Sequence, residues 1–134
     1  MLIGGLVAGA WSLALVRYDL SRQRLPDVLT VPAALVAAAA CLVWPAGLMG
    51  WVWPVAYLLG GRGVGGGDIK LAASLGVWCA VAGGLAAVLV AIVLASVFTL
   101  AAAAALRKRA LAHGPSMLAA AWIVALYGLW GAGL

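Results

Sequence analysis

The placing of its few charges constrains this chain most, because they cut it into four uncharged stretches: Met1 to Val16, Val28 to Gly61, Leu71 to Leu106, and His113 (counted neutral) to Leu134. Apolar residues make up 68% of the sequence and charged ones 8%, far from the make-up of a soluble domain. One membrane crossing takes about 20 residues, at about 1.5 Å rise per residue. The two middle stretches, at about 34 and 36 residues, are too long for one crossing, so each reads as a hairpin. Pro45, Gly47 and Gly50 punctuate the first reversal and Gly83-Gly84 the second. The expected fold is therefore all-α: a polytopic membrane protein, one domain over residues 1–134. About six transmembrane helices are expected, near 1–17, 28–46, 50–60, 68–82, 84–106 and 115–132. Pro54, in the short third segment, is tolerable in a first turn.

Two hairpins return the chain to the side it left. Arg17, Arg22, Arg24, Arg62, Lys70, Arg107, Lys108 and Arg109 then share one face, which the positive-inside rule makes cytoplasmic, with both termini outside (N-out/C-out). Trp44, Trp51, Trp53, Trp78 and Trp130 fall near the opposite segment ends, as an outer aromatic belt requires. The first segment has neither a basic n-region nor a small-residue cleavage pattern, so it reads as a retained span. The net charge of +5 does not point to nucleic acid, since the basic residues are split among apolar segments without an aromatic platform. Cys41 and Cys79 each stand alone, with no CxxC to suggest zinc or a disulfide framework, and read as small buried hydrophobes.

The chain has three acidic residues, Asp19, Asp27 and Asp68, all on the expected cytoplasmic face. Asp68 closes the glycine-rich interruption that runs from Gly60 to Lys70. A carboxylate at membrane depth is costly and is by default a functional candidate with a partner to be found. Asp19 and Asp68, far apart in sequence but at one depth, meet the minimum geometry for aspartic proteolysis, in which two carboxyls hold one water between them. Two unit charges about 4 Å apart repel by roughly 4 kcal/mol at an effective dielectric near 20, or about three pKa units. Such a pair shares a proton and titrates as a unit.

Plainer readings stand beside these. Asp68 fits a helix N-cap, and Asp19 fits a solvated partner of Arg17 or Arg22. A phosphate-cradling loop would need the absent GK[ST] ending. Asp27, after Pro26 and before an apolar run, reads first as the N-cap of the second span and second as support for the loop at the site. Lys70 either biases Asp68 and positions the loop or snorkels to the interface. Tyr18 packs at the interface or hydrogen-bonds near the acids. His113 is a titrating group near neutrality, yet a lone loop histidine reads as incidental. Arg107-Lys108-Arg109 reads as a topology determinant and a contact for anionic lipid. The Ala-rich runs at Ala37 to Ala40 and Ala101 to Ala105 read as close-packing helix surfaces.

Tyr18-Asp19, followed after a basic loop by Leu25-Pro26-Asp27 and Leu29-Thr30, resembles the first signature of the type IV prepilin peptidases. Gly65-Gly66-Gly67-Asp68-Ile69-Lys70-Leu71 is similar to the second, GxGD followed by a lysine and an apolar residue, and Gly114-Pro115 is similar to the family's final Gly-Pro. The likeness covers nearly the whole chain. Presenilin-type proteases share YD and GxGD but are larger and carry a PAL element with no equivalent here. The resemblance implies an intramembrane aspartic endopeptidase of the bacterial cytoplasmic (inner) membrane, multi-pass, with its site on the cytoplasmic side. It would cut short basic leaders from prepilin or pseudopilin substrates. Asp19 and Asp68 carry over as the catalytic pair, with Gly65, Gly66, Gly67 and Lys70 as the active-site loop and Asp27, Tyr18 and Pro115 in support. No metal or organic cofactor is implied, and the expected partners are the substrate protein and the lipid bilayer. A basic leader would be repelled by the Arg107-Lys108-Arg109 cluster, so that cluster is not assigned to leader binding. Two features depart from the pattern. Bifunctional members have an N-terminal region with paired CxxC motifs and methylate the new N-terminus; this sequence opens on the first core span without CxxC, so N-methylation is not expected. Ala112-His113 stands where the family often has Pro-Phe. The competing readings are a small cation- or proton-coupled transporter, which would space polar groups along a path through the membrane, and a non-catalytic assembly subunit, which would tolerate loss of both acids.

Overall fold

The helices stop where the sequence withdraws support for another turn. In the computed structural model, which describes residues 2–60, 64–108 and 111–131, these are α1 (Leu2–Arg22), α2 (Asp27–Val43), a 3-10 segment (Pro45–Trp51), α3 (Val52–Gly60), α4 (Gly66–Leu106) and α5 (Gly114–Gly131). The described residues are all-helical in character, with no strand. Helix α1 ends as Gln23 turns left-handed (φ 51°) and gives its N–H to the Asp19 carbonyl at 2.8 Å, an αL cap. Leu25-Pro26 is biased to extended backbone and hands the chain to α2. Pro45 opens the 3-10 turn, and Pro115 sits in the first turn of α5, where a missing N–H costs nothing.

The reversal expected at Gly83-Gly84 is present inside α4. Gly83 leaves helical backbone, and Gly84 takes φ 70°, ψ −163°, a region open essentially only to glycine. An unbroken helix would separate Asp68 from Thr99 by about 46 Å. Instead Asp68 and His113 border one cavity, while Thr99 is hydrogen-bonded to His113. The arm over 85–106 therefore folds back along the arm over 66–82.

The first arm is the rod of the bundle. Leu71, Ala72, Ala73, Leu75, Gly76, Val77, Cys79 and Ala80 are all buried, which is burial all round rather than along one stripe. Helix α2 turns a stripe to it at Thr30, Ala37 and Cys41 and the second arm one at Val88, Ala91 and Ala95, while Ser12 and Asp19 of α1 meet α5 through hydrogen bonds and Leu15 joins the same core. Met117, Ala120, Ala121 and Val124 of α5 close the core. Small residues allow close approach; at Gly50 and Gly76 the backbones of the 3-10 turn and α4 touch, and neither site has room for a Cβ. Tryptophans tie the outer helices through their N–H groups. Trp11 Nε1 donates to the Leu29 carbonyl (2.9 Å) and Trp122 Nε1 to Ser12 Oγ (3.0 Å).

Helix α4 is long and apolar enough to cross a membrane, with mean hydropathy 2.7 in its most apolar stretch. Two expectations need correction. Trp53 is 0% exposed and lies edge-on to Tyr57, so it is core and not belt; Trp78, half-buried, packs edge-on against Trp122 at 4.8 Å. Asp19 does not lie past the first helix but inside its last turns, because the Arg17-to-Arg22 segment continues α1 beyond its apolar part. Arg62 and Arg109, expected on the charged face, lie outside the described residues.

Candidate active site

One end of the bundle collects the last turn of α1, the starts of α2 and α4, and the loop before α5 around a cavity of about 530 Å³. Asp19, Asp27, Asp68, Lys70 and His113 all border it, with Arg24 and Leu25 of the α1–α2 loop. The charge partition anticipated this gathering of polar residues at one end.

Asp19 ends the buried stripe of α1, seven residues after Ser12, and is 4% exposed. Its Oδ2 accepts the Gly114 N–H at 2.9 Å, so the carboxylate caps the positive end of α5. Burial pushes the Asp19 carboxyl above its ordinary range, and the Gly114 bond works against that rise by favouring the charged form. A Cβ on Gly114 would overlap the carboxylate. The sequence singled out Gly114-Pro115 by likeness alone; the physical reason is this contact.

Asp68 stands in the first turn of α4, and its N–H bonds to the Gly65 carbonyl at 3.1 Å. The N-cap is Gly65, with no side-chain cap bond, so the capping reading of Asp68 is set aside. Its carboxylate still benefits from the helix N-terminus, and Asp19 and Asp68 lie close enough to interact electrostatically. The three glycines ahead of it differ. A Cβ on Gly67 would come within 2.9 Å of the Leu25 Cβ, whereas one on Gly66 meets nothing within 4 Å. Gly67 thus lets α4 pack on the α1–α2 loop, and Gly66 leaves open space beside Asp68.

Asp27 is not an N-cap either. Pro26 holds that position, and Asp27 Oδ1 accepts a bond from Lys70 Nζ at 2.7 Å. The pair ties the start of α2 to the start of α4. Tyr18 does not border the acid cavity. Its ring is 42% exposed, lies under the Arg22 guanidinium at 5.6 Å and faces a separate hollow with Arg24 and Pro26. Pro115 supports the site only through the start of α5.

Sequence reasoning missed a cluster around His113. Tyr57 Oη lies 2.6 Å from its Nε2 and Thr99 Oγ1 2.6 Å from its Nδ1, so hydroxyls from α3 and from the second arm of α4 grip the ring at both nitrogens. Burial lowers the pKa of His113. Separations of 56 and 14 residues carry no periodic signal; the one available clue was a histidine directly preceding Gly-Pro.

The sequence model of the type IV leader peptidase family matches residues 6–100. Among curated proteins, the chain is 34% identical over 146 residues to a prepilin leader peptidase/N-methyltransferase of Xanthomonas campestris pv. campestris, covering 93% of this chain and 50% of that protein. It is 32% identical over 140 residues to the protein of the same description from Neisseria gonorrhoeae, covering 91% of this chain and 48% of that one. The chain thus spans about half the length of the curated relatives it matches. No solved structure matches.

Proposed function

The chain belongs to the type IV leader peptidase family, and from that premise we propose that it is an aspartic endopeptidase which removes leader peptides from prepilin-like proteins. The observation that carries the reading is the meeting of Asp19 and Asp68, from helices α1 and α4, at one open cavity. The catalytic pair works as a unit. One carboxylate takes a proton from a water held between the two, and the water oxygen attacks the scissile carbonyl carbon. The other carboxyl, protonated, gives its proton to the carbonyl oxygen. Collapse of the tetrahedral diol breaks the C–N bond as the proton of one carboxyl passes to the leaving nitrogen and a diol hydroxyl gives its proton to the other carboxylate, so the pair ends with the single proton it began with. Gly66 gives the substrate backbone room beside Asp68, and the Lys70–Asp27 pair holds the loop.

In this reading the six helical segments cross the inner membrane, with both termini outside and the cavity at the cytoplasmic surface. Its support is the exposed apolar surface, including Leu6 and Val7 of α1, Leu35 and Val36 of α2, and Val93 and Val97 of the second arm, together with the basic residues at the cavity end.

The test is co-expression with a prepilin, leader removal being read as a mobility shift, for the parent, Asp19→Asn and Asp68→Asn, each matched for membrane expression. Loss of cleavage in both variants is expected, since neither carboxyl can do both tasks. Cleavage surviving in either well-expressed variant would refute the shared dyad.

A further inference from the structure

We propose that His113 is a positioning residue for Asp19: gripped at both ring nitrogens by Tyr57 and Thr99, it fixes the backbone that aims the Gly114 N–H at the Asp19 carboxylate. Its functional meaning rests on the peptidase reading, in which the proton on the acid pair decides activity.

His113 is a junction between three helices. Its side chain is bound to α3 through Tyr57 and to the second arm of α4 through Thr99, each at 2.6 Å. Its carbonyl accepts the Met117 N–H at 3.1 Å and so starts α5. The next N–H along the chain, that of Gly114, is the one on Asp19. A neutral imidazole carries one N–H and one bare nitrogen, so one hydroxyl donates to the ring while the other accepts from it. Both nitrogens are therefore occupied, and the ring is not free to act as a base on substrate. Burial favours this neutral form. What the ring can do is hold direction: a hydrogen bond weakens steeply with misalignment, and the bond from Gly114 is what stabilises the charged form of Asp19. Tilting residue 113 would raise the Asp19 midpoint without removing any group that touches Asp19.

Among the described residues, the charged and titratable groups facing this region are Asp19 on α1, Arg24 in the loop after it, Asp27 on α2, Tyr57 on α3, and Asp68 and Lys70 on α4. Because the chain has three acidic residues, each carboxyl can be followed by its own signal, the Asp19 and Asp68 curves being coupled and that of Asp27 serving as the reference. Protein carrying carboxyl-13C aspartate would be titrated by NMR in detergent micelles, with signals assigned from Asp19→Asn, Asp27→Asn and Asp68→Asn. The variants are Thr99→Val, which removes one hydroxyl at constant shape and touches neither acid, His113→Ala, and the conservative His113→Gln. Thermal unfolding reports the fold of each. Thr99→Val and His113→Ala should raise the Asp19 midpoint by about 0.5 pH unit or more and leave Asp27 unmoved, with His113→Gln closer to the parent. In leader cleavage, Thr99→Val should lower kcat with KM kept. An unmoved Asp19 midpoint in folded Thr99→Val would overturn the proposal, as would an equal shift of Asp27. Should His113→Ala fail to fold, Thr99→Val and His113→Gln decide the matter. A parent that cleaves no leader yet shows the Asp19 shift would sink the peptidase reading and leave the positioning role standing.

Discussion

Asp19 shows how a buried carboxyl weakens the protein that carries it. Its folded pKa is raised above 3.8, first by burial, so between that value and the folded one the native state keeps a proton that the unfolded chain has released. Stability therefore falls as pH rises through that window and stays reduced above it. Asparagine is neutral throughout and retains an oxygen for the Gly114 N–H. Asp19→Asn is accordingly expected to unfold at no lower temperature than the parent near pH 7, the difference narrowing in acid, while cleavage is lost. A clearly lower unfolding temperature at neutral pH would mean that the ionised carboxylate, held by Gly114, stabilises the fold on balance. Gly114→Ala tests the same contact from the other side. Its methyl would overlap the carboxylate, so a loss of about 1–3 kcal/mol with strong loss of cleavage is expected from thermal unfolding and a cleavage assay. The sequence showed Asp19 as an acid at a helix end; its burial and its N–H partner 95 residues away come from packing, which no local pattern records.

At the scale of elements, the hairpins were legible because both signals that mark them are local. Length excluded single crossings, and Gly83-Gly84 supplied the break. Gly84 holds the left-handed conformation at the reversal, and Gly84→Ala should cost about 1–3 kcal/mol in unfolding free energy, although a Cβ there meets nothing within 4 Å. The cost would lie in the backbone rather than in a clash, and because ψ of −163° lies outside the αL well that asparagine tolerates, Gly84→Asn should cost about as much as Gly84→Ala. Helix ends were less legible. A run of charges reads as the end of a membrane segment, but charged residues form helix readily, and α1 continues through Arg22 with Asp19 inside it. The Lys70–Asp27 contact was equally hidden, because each residue had a local explanation, one as a snorkelling base and the other as a cap. The pair is partly exposed, at 40% and 70% of the two side chains, so a double-mutant cycle with Lys70→Ala and Asp27→Ala should give a coupling of about 1 kcal/mol or less. Its value to the site would then lie in loop placement.

For the whole molecule, inside and outside are both apolar. The first arm of α4 is enclosed by its neighbours, yet Leu2, Val28, Leu42, Leu59 and Trp130 are each more than 80% exposed. A water-facing surface rarely carries contiguous apolar patches beyond a few hundred Å², whereas a bilayer solvates them. The acids and the surrounding bases gather at the end holding Gln23 and Leu25, and the 3-10 turn around Leu48 connects α2 to α3. Tryptophan position was a poorer guide, because indole serves the core as well as the interface, and Trp53 went to the core. Single-cysteine labelling decides the arrangement, since Cys41 and Cys79 are buried and give little background. With an impermeant maleimide on intact spheroplasts, Leu48→Cys is expected to label at once, and Gln23→Cys only after the membrane is opened. Labelling of both from outside would place the two turns on one face, break the alternation on which six crossings depend, and move the acid pair to the side where no cytoplasmic leader could reach it.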